Sequence, residues 1–282
     1  MTGPRCDGYA LGREIGFGRI ARAYAARDLA SGARCAVKVL SRADPLALRA
    51  EATAARLLGP DCSGAGWQVV TIRDVVLAKE GGQERPALVM SLVQGQALGD
   101  WLADSPPLAR RLHILRGMLH ALGAVHAARL AHNDLGMGNF LVSCYEVSGR
   151  EVHDQSVTLL DFDRASGAGL PDQPRDWGPG GFYDGGPGVA CCGPAHDLRA
   201  IAILAAMMLG GRHPFAKDPR PLLGHAWRGG NPYRHAPQWF EFTGFCTAVQ
   251  AEAWLAPALR MQAGVSAQSL LQTMPDPHLP PP

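Results

Sequence analysis

Apolar and polar positions along this chain change character about a third of the way in. Tyr9–Ile15 and Ala21–Arg27 read as two short strands joined through Gly16-Phe17-Gly18-Arg19-Ile20-Ala21, and a turn at Ser31-Gly32 leads into the β-branched run Cys35–Leu40. Pro45–Leu58 has the Ala, Leu, Arg and Glu content of a helix and closes at Gly59-Pro60. Val69–Lys79 and Pro86–Val93 follow as strands around Gly81-Gly82. After Gln94-Gly95 the spacing turns helical: Leu98–Ala103 is short, and Leu108–Arg129 carries Leu112, Leu115, Leu119, Leu122 and Val125 three and four residues apart. Strands at Phe140–Ser143 and Val157–Leu160 flank a polar hairpin, Cys144–Ser156. Gly167–Gly193 is rich in Gly and Pro with little secondary structure of its own, and a stretch that long in a compact domain is usually functional or disordered. Helices are expected at Asp197–Leu209, Phe240–Trp254 and Ala267–Met274, and a frayed tail at Pro275–Pro282. Sheet first and helices after, with a cleft between, is a two-lobed α+β arrangement.

Composition narrows the functional classes. The 282 residues suffice for a sizeable core, and a net charge of +2 with pI near 8.2 gives no strong footprint for nucleic acid or an anionic membrane. The start of the chain lacks a secretory pattern, and the longest apolar run, Ala200–Leu209, is about half of what a bilayer-spanning helix needs. The 7 cysteines form no C-x-x-C pair, so reduced thiols in a cytoplasm are the simplest expectation, with small loop residues the plain reading of Cys191-Cys192. None of the 10 histidines stands in a zinc-binding spacing. Abundant Ala, Gly, Arg and Pro with little Lys is the usage associated with a GC-rich bacterial genome.

The chemistry concentrates in His132-Asn133-Asp134-Leu135-Gly136-Met137-Gly138-Asn139-Phe140-Leu141-Val142, answered by Leu160-Asp161-Phe162-Asp163. An Asp followed five residues on by an Asn, then a short apolar strand and a second Asp-Phe pair, is the carboxylate and amide set that phosphoryl transfer needs. One acid can orient a hydroxyl, while the amide and the other acid can hold a divalent cation against phosphates. Turn residues capping backbone groups would be the plain alternative for Asp134 and Asn139. Gly16-x-Gly18-x-x-Ala21 lies between two strands, where glycines let backbone N–H groups approach phosphate oxygens. Lys38 lies inside an apolar run, where an ammonium is costly without partners, unless it faces outward. Glu51 is the sole acid of Pro45–Leu58, so a lysine–glutamate pair, if formed, must use it; a solvated surface position is its alternative.

In this order the motifs resemble the protein-kinase superfamily, a divergent bacterial member of the Ser/Thr type, from about Tyr9 to Leu271. The resemblance implies a small β-rich N-lobe over residues 1–93, a larger, mostly helical C-lobe over 94–274, and a flexible tail, 275–282. It implies ATP and Mg²⁺ as cofactors, with Mn²⁺ as the alternative metal. Gly16, Gly18, Ala21, Lys38 and Glu51 would then serve the nucleotide's phosphates. Leu88–Gly95 resembles the hinge that reads adenine, with Met90 bordering the back pocket and Ser91 and Val93 offering backbone groups. Asp134 would be the catalytic base or orienting group, supported by Lys38 and Asn139, and Asn139 and Asp161 would be the metal ligands. Asp197 would tie down the backbone of the catalytic loop. The expected partners are ATP, a protein substrate or a small-molecule acceptor, and a separate regulatory protein, without nucleic acid or membrane insertion.

Several positions depart from the family pattern. Asn133 replaces the arginine that in many members reads a phosphate on the activation loop, and Asp163–Phe182 holds one hydroxyl residue, Ser166, so loop phosphorylation is not expected to be the switch. Gly136 stands in place of a lysine that touches the transferred phosphate, Asp163 replaces the glycine of Asp-Phe-Gly and adds a carboxylate, and the Ala-Pro-Glu anchor is absent, with Tyr183-Asp184-Gly185 nearest to it. Three readings follow: a Ser/Thr protein kinase with an unusual substrate platform, a small-molecule or glycan kinase suggested by Leu159–Arg164, and a pseudokinase scaffold.

Overall fold

The computed structural model describes residues 4–18, 21–40, 45–147, 150–167, 169–170, 193–211, 214 and 245–275, with backbone alone at 45, 144–147 and 150–155. The architecture is mixed, with a β-rich first part and helices later. Six strands close a ring: β1 (Arg5–Cys6), β2 (Tyr9–Phe17), β3 (Ala21–Asp28), β4 (Arg34–Leu40), then β7 (Ile72–Glu80) and β8 (Gln83–Met90), in the order β1-β2-β3-β4-β8-β7. All of its pairings are antiparallel. Tyr24, Cys35, Val37, Val39, Ala78 and Val89 fill the interior. Because strand side chains alternate, Ala36 and Lys38 take the opposite face of β4 from Cys35, Val37 and Val39.

Helix α1 (Pro45–Leu58) has the bounds expected from sequence, ending at Gly59 with φ 77°, a left-handed stop. Its buried face is Ala47, Ala50, Glu51 and Ala54, three alanines and one acid at helical spacing. Short side chains there let the helix approach the sheet, so the acid is carried inward with them.

A second sheet has the order β5 (Ser63–Gly64), β6 (Trp67–Val69), β12 (Arg150–Leu159), β11 (Phe140–Val147), β9 (Gln96–Ala97), and a third pairs β10 (Leu130–Ala131) with β13 (Ser166–Gly167). Helices α2 (Leu98–Ala103) and α3 (Leu108–Ala127) precede β10, and α4 (Pro194–Gly210), α5 (Ala248–Leu259) and α6 (Ala267–Gln272) follow β13. One large cluster of buried apolar side chains joins α3, α4 and α5 to the second sheet. The approach of α3 to that sheet requires Gly117, where a Cβ would lie 2.7 Å from Gly66 O and 2.8 Å from Val157 Cγ1. Helix α4 is buried continuously from Asp197 to Leu209, as expected for a helix apolar on every side, and Gly211 ends it at φ 72°.

Four expectations need correction. Val69 belongs to a separate strand, β6, whose pairing with β12 is parallel, so the run expected from Val69 begins at Ile72. The strands expected at Phe140–Ser143 and Val157–Leu160 are longer, running through the polar hairpin Cys144–Ser156: past a register shift between Ser143 and Tyr145, pairing continues to Val147 opposite Arg150. A backbone ladder sustains those strands where no apolar pattern announces them. Helix α3 stops at Ala127, because Arg129 is left-handed at φ 58°. Of the helix expected from Phe240, residues 240–244 lie outside the described residues and 245–247 are not helical; helix α5 starts at Ala248, capped reciprocally by Thr247 and Gln250, and runs through Pro257 to Leu259. Burial of Leu255, Ala258 and Leu259 exceeds the roughly 3 kcal/mol that an interior proline costs. Residues 171–192 and 276–282, including Cys191-Cys192, Tyr183-Asp184-Gly185 and most of the tail, lie outside the described residues. Among the described residues no helix is long and apolar enough to cross a membrane.

Candidate active site

Three segments far apart in sequence meet at Lys38. Its Nζ donates to Glu51 Oε2 at 2.8 Å and to Asp161 Oδ1 at 2.6 Å. The first contact follows from the outer face of β4 meeting the buried acid of α1. The second depends on the turn after β12, where Asp161 adopts φ 66°, a conformation unusual for a non-glycine residue. Burial penalises the ammonium, but the carboxylates of Glu51, Asp161 and Asp163 outweigh that and hold its pKa above the ordinary lysine value. At Glu51 burial is the larger influence and raises the carboxyl above its ordinary value against the pull of Lys38. Asp161 goes the other way: burial alone would raise it, yet Lys38 and the hydrogen bond it donates keep it below the usual carboxylate value.

Asp134, Asp161 and Asp163 each offer a carboxylate oxygen within 4.8 Å of the others. Burial, followed by repulsion from Asp163 and Asp161, pushes Asp134 up to about 7. Asn139, in the 3₁₀ turn Met137–Asn139, donates through Nδ2 to Asp134 Oδ2 at 2.9 Å and to Asp134 O at 2.7 Å, so the amide five residues on fixes the acid's rotamer and its backbone together. The donor set is all oxygen and acidic, which suits a hard dication such as Mg²⁺.

The loop that carries Asp134 is held from beneath. Asp197, at the start of α4 and fully buried, accepts the N–H of His132 at 2.7 Å and of Asn133 at 2.8 Å, and contacts His126 Nε2 at 3.1 Å. The N–H of Asp134 is 3.2 Å from His132 Nδ1, which makes that nitrogen an acceptor and leaves Nε2–H to donate to Leu160 O at 2.8 Å. Burial lowers the pKa of His132, favouring this neutral tautomer. Its ring lies 4.7 Å from that of Phe162, which is itself buried. The acid of one loop and the acid of the other are thereby joined through one imidazole.

The remaining sequence candidates lie in the first sheet, in its β2–β3 connection and in the irregular segment that follows β8, where the strand expected to reach Val93 stops at Met90. Gly16 pairs with Ala23 across β2 and β3, and the N–H of Gly18 donates to Ala21 O at 2.8 Å, closing the turn between these strands. Ala21 is buried at the start of β3 opposite Leu40. Met90 lies opposite Ala36 at the end of β8. Ser91 commits its N–H to Thr71 O at 2.8 Å and its hydroxyl to the N–H of Thr71 at 3.2 Å; Val93 is half-buried just beyond. Sequence reasoning placed Asp163 near the other acids, but it missed the side chain of Asn133, which donates to Arg164 O and Ser166 Oγ and accepts from the N–H of Gly193. That Asn133 replaces an arginine beside the acid was visible in the sequence; its burial and its three distant partners were not.

No protein-family model matches the chain. Individual proteins do. Over 231 residues it is 30% identical to the serine/threonine-protein kinase Pkn1 of Myxococcus xanthus, covering 76% of this chain and 30% of that protein. Over 236 residues it is 34% identical to the probable serine/threonine-protein kinase PknB of Bifidobacterium longum, covering 74% and 31%. Over 240 residues it is 30% identical to CBL-interacting protein kinase 4 of Oryza sativa subsp. japonica, covering 75% and 46%. The chain thus spans from under a third to just under half of the length of these relatives.

Proposed function

We propose that this chain, which belongs to the protein-kinase superfamily, transfers the γ-phosphoryl group of ATP to a hydroxyl of a protein acceptor. The observation that carries this reading is the convergence on Asp161: it pairs with Lys38, itself paired with Glu51, and its carboxylate stands with those of Asp134 and Asp163. In this reading residues 1–93 form the N-lobe and 94–274 the C-lobe; the barrel has its own cluster of buried side chains, while the larger cluster also takes in Ala54, Val69 and Val70 from the first segment.

Lys38, held by Glu51, binds the α- and β-phosphates of the nucleotide. Gly16 and Gly18 admit the phosphates close to the backbone; a Cβ at either would meet nothing in the protein nearer than 3.8 Å, so the fold itself does not require glycine there. Ala21 closes that turn, Met90 borders the adenine, and Ser91 and Val93 contribute its backbone carbonyl and amide. Asp161 and Asn139 are the metal ligands, with Asp163 beside them, and the Mg²⁺ of the nucleotide supplies charge neutralisation on the phosphate oxygens. Asp134 accepts a hydrogen bond from the acceptor hydroxyl and takes its proton as the new P–O bond forms, and ADP leaves. A pKa raised to about 7 keeps that carboxylate ready to hold a proton near neutral pH. With Gly136 where a lysine would touch the transferred phosphate, turnover is slow for the family.

The added carboxylate of Asp163 and the bare backbone at Gly136 favour one second reading, a small-molecule acceptor. Both are tested by incubating the protein with Mg²⁺ and γ-labelled ATP beside Asp134→Asn, reading label on the chain and on a basic acceptor protein. Label with the wild type alone supports protein phosphorylation. ATP binding without protein label moves the assignment to a small-molecule acceptor, and no nucleotide binding refutes both.

A further inference from the structure

We propose that Asn133 is a positioning residue whose carboxamide fastens both ends of the stretch between the acidic cluster and α4 to the loop that carries Asp134, without any phosphate. Its Nδ2 donates to Arg164 O at 2.9 Å and to Ser166 Oγ at 2.8 Å, and its Oδ1 accepts the N–H of Gly193 at 2.7 Å. Arg164 and Ser166 begin that stretch, and Gly193 is the residue before α4. Its own N–H goes to Asp197 Oδ1, so backbone and side chain are both committed.

Chemistry explains why this must be a carboxamide. The two N–H groups of Nδ2 reach two acceptors while Oδ1 serves one donor, a combination a guanidinium lacks because it cannot accept. An arginine here would need an anion between itself and the N–H of Gly193; Asn133 makes the link directly. The residue is 3% exposed, so water does not replace these bonds at little cost. At φ 61° it occupies the left-handed region, where asparagine is among the few L-residues found routinely. Pairing of Ser166 with Ala131 and of Gly167 with Leu130 braces one end further, whereas at the other end the N–H of Gly193 meets the carboxamide.

The inference rests on the proposed activity for its catalytic meaning, and its physical content is testable apart from it. The full-length chain is compared with Asn133→Gly, which removes the carboxamide but accepts positive φ, and with Asn133→Asp, which keeps an acceptor for Gly193 and loses both donors. By hydrogen–deuterium exchange, Asn133→Gly should speed the amides of Gly193 and of Ser166–Gly167 about tenfold, leaving α3 unchanged. Asn133→Asp should speed those of Ser166–Gly167 alone. In transfer assays with a basic acceptor protein, Asn133→Gly should lower kcat/KM for the acceptor about tenfold with the KM for ATP within about twofold, and Asn133→Asp should recover part of the loss. Phosphatase treatment of the wild type should change nothing. Equal exchange at Gly193 in wild type and Asn133→Gly, or an ATP KM that moves as much as the acceptor term, overturns the proposal. If Asn133→Gly loosens α3 as well, Asn133→Asp decides: faster exchange at Ser166–Gly167 with Gly193 unchanged supports the clamp, and no difference between the two ends overturns it. A wild type that transfers no phosphate refutes the activity, while the exchange comparison still decides the clamp.

Discussion

Asp134→Asn should abolish transfer and, in the same molecule, raise stability above neutral pH. The wild-type carboxyl is held at about 7 in the folded chain against an ordinary value of 3.8, first by burial and then by repulsion from Asp163 and Asp161. A folded pKa raised in this way contributes stability that is complete below about pH 4 and is lost as pH rises through 7. A shift of about three units corresponds to about 4 kcal/mol lost by pH 8, of which about 2.5 kcal/mol falls above pH 5. Asparagine has nearly the same shape and keeps an oxygen for Asn139 Nδ2, now 2.9 Å away, but it brings no charge toward the other two acids. The Tm gap between variant and wild type, measured in EDTA by thermal unfolding, should therefore widen by roughly 5 °C between pH 5 and pH 8, at about 2 °C per kcal/mol for a chain of this size. Mg²⁺ should narrow the gap again by screening the three carboxylates. A variant no more stable than wild type at pH 8, or a gap indifferent to pH, would refute the claim that Asp134 is held against its neighbours.

The same repulsion predicts, in EDTA, an Asp134 carboxyl that titrates at about 7 by NMR in the wild type and at a lower pH in Asp163→Asn, which removes one of the two repelling carboxylates; an unmoved midpoint would discount Asp163 as a cause. Lys38→Met leaves Glu51 and Asp161 facing one another without their cation and should cost about 3–5 kcal/mol by urea unfolding, along with loss of transfer and weaker ATP binding; an unchanged urea midpoint would contradict the ion-pair geometry. Asp197→Ala strands the buried N–H groups of His132 and Asn133 and should cost about 2–5 kcal/mol, with faster amide exchange at both positions as the check.

What could be read in advance depended on whether partners lie close in sequence. Helix α1 was legible to the residue because Pro45 and Gly59 punctuate it, and Glu51 was singled out as its sole acid. Asp134 and Asn139 were legible as a pair because five residues of one loop separate them. The strands at 144–155 were hidden by polar sequence, since a ladder of backbone hydrogen bonds leaves no apolar imprint. The parallel register of β6 on β12 was equally hidden, for it joins Trp67 to Val157 across the intervening chain. Asn133 showed only as a departure from a pattern; what its amide holds is spread from Arg164 to Gly193, beyond the reach of any local spacing.

The two-residue strand Arg5–Cys6 has a consequence unrelated to catalysis. By pairing Cys6 with Tyr9 on one side and Arg5 and Cys6 with Lys79 and Ala78 on the other, it closes the ring, so neither β2 nor β7 offers a full free edge. Trimming the chain to Asp7 would open both. The uncovered edge of β7 would present unpaired N–H and C=O groups beside the outward apolar side chains of Val75 and Leu77, 45% and 54% exposed, a template for strand addition by a second molecule. Whether such a truncated chain stays monodisperse in solution is thus decided by two residues on the strand three places round the ring from the one that carries Lys38, acting as a seam against self-association.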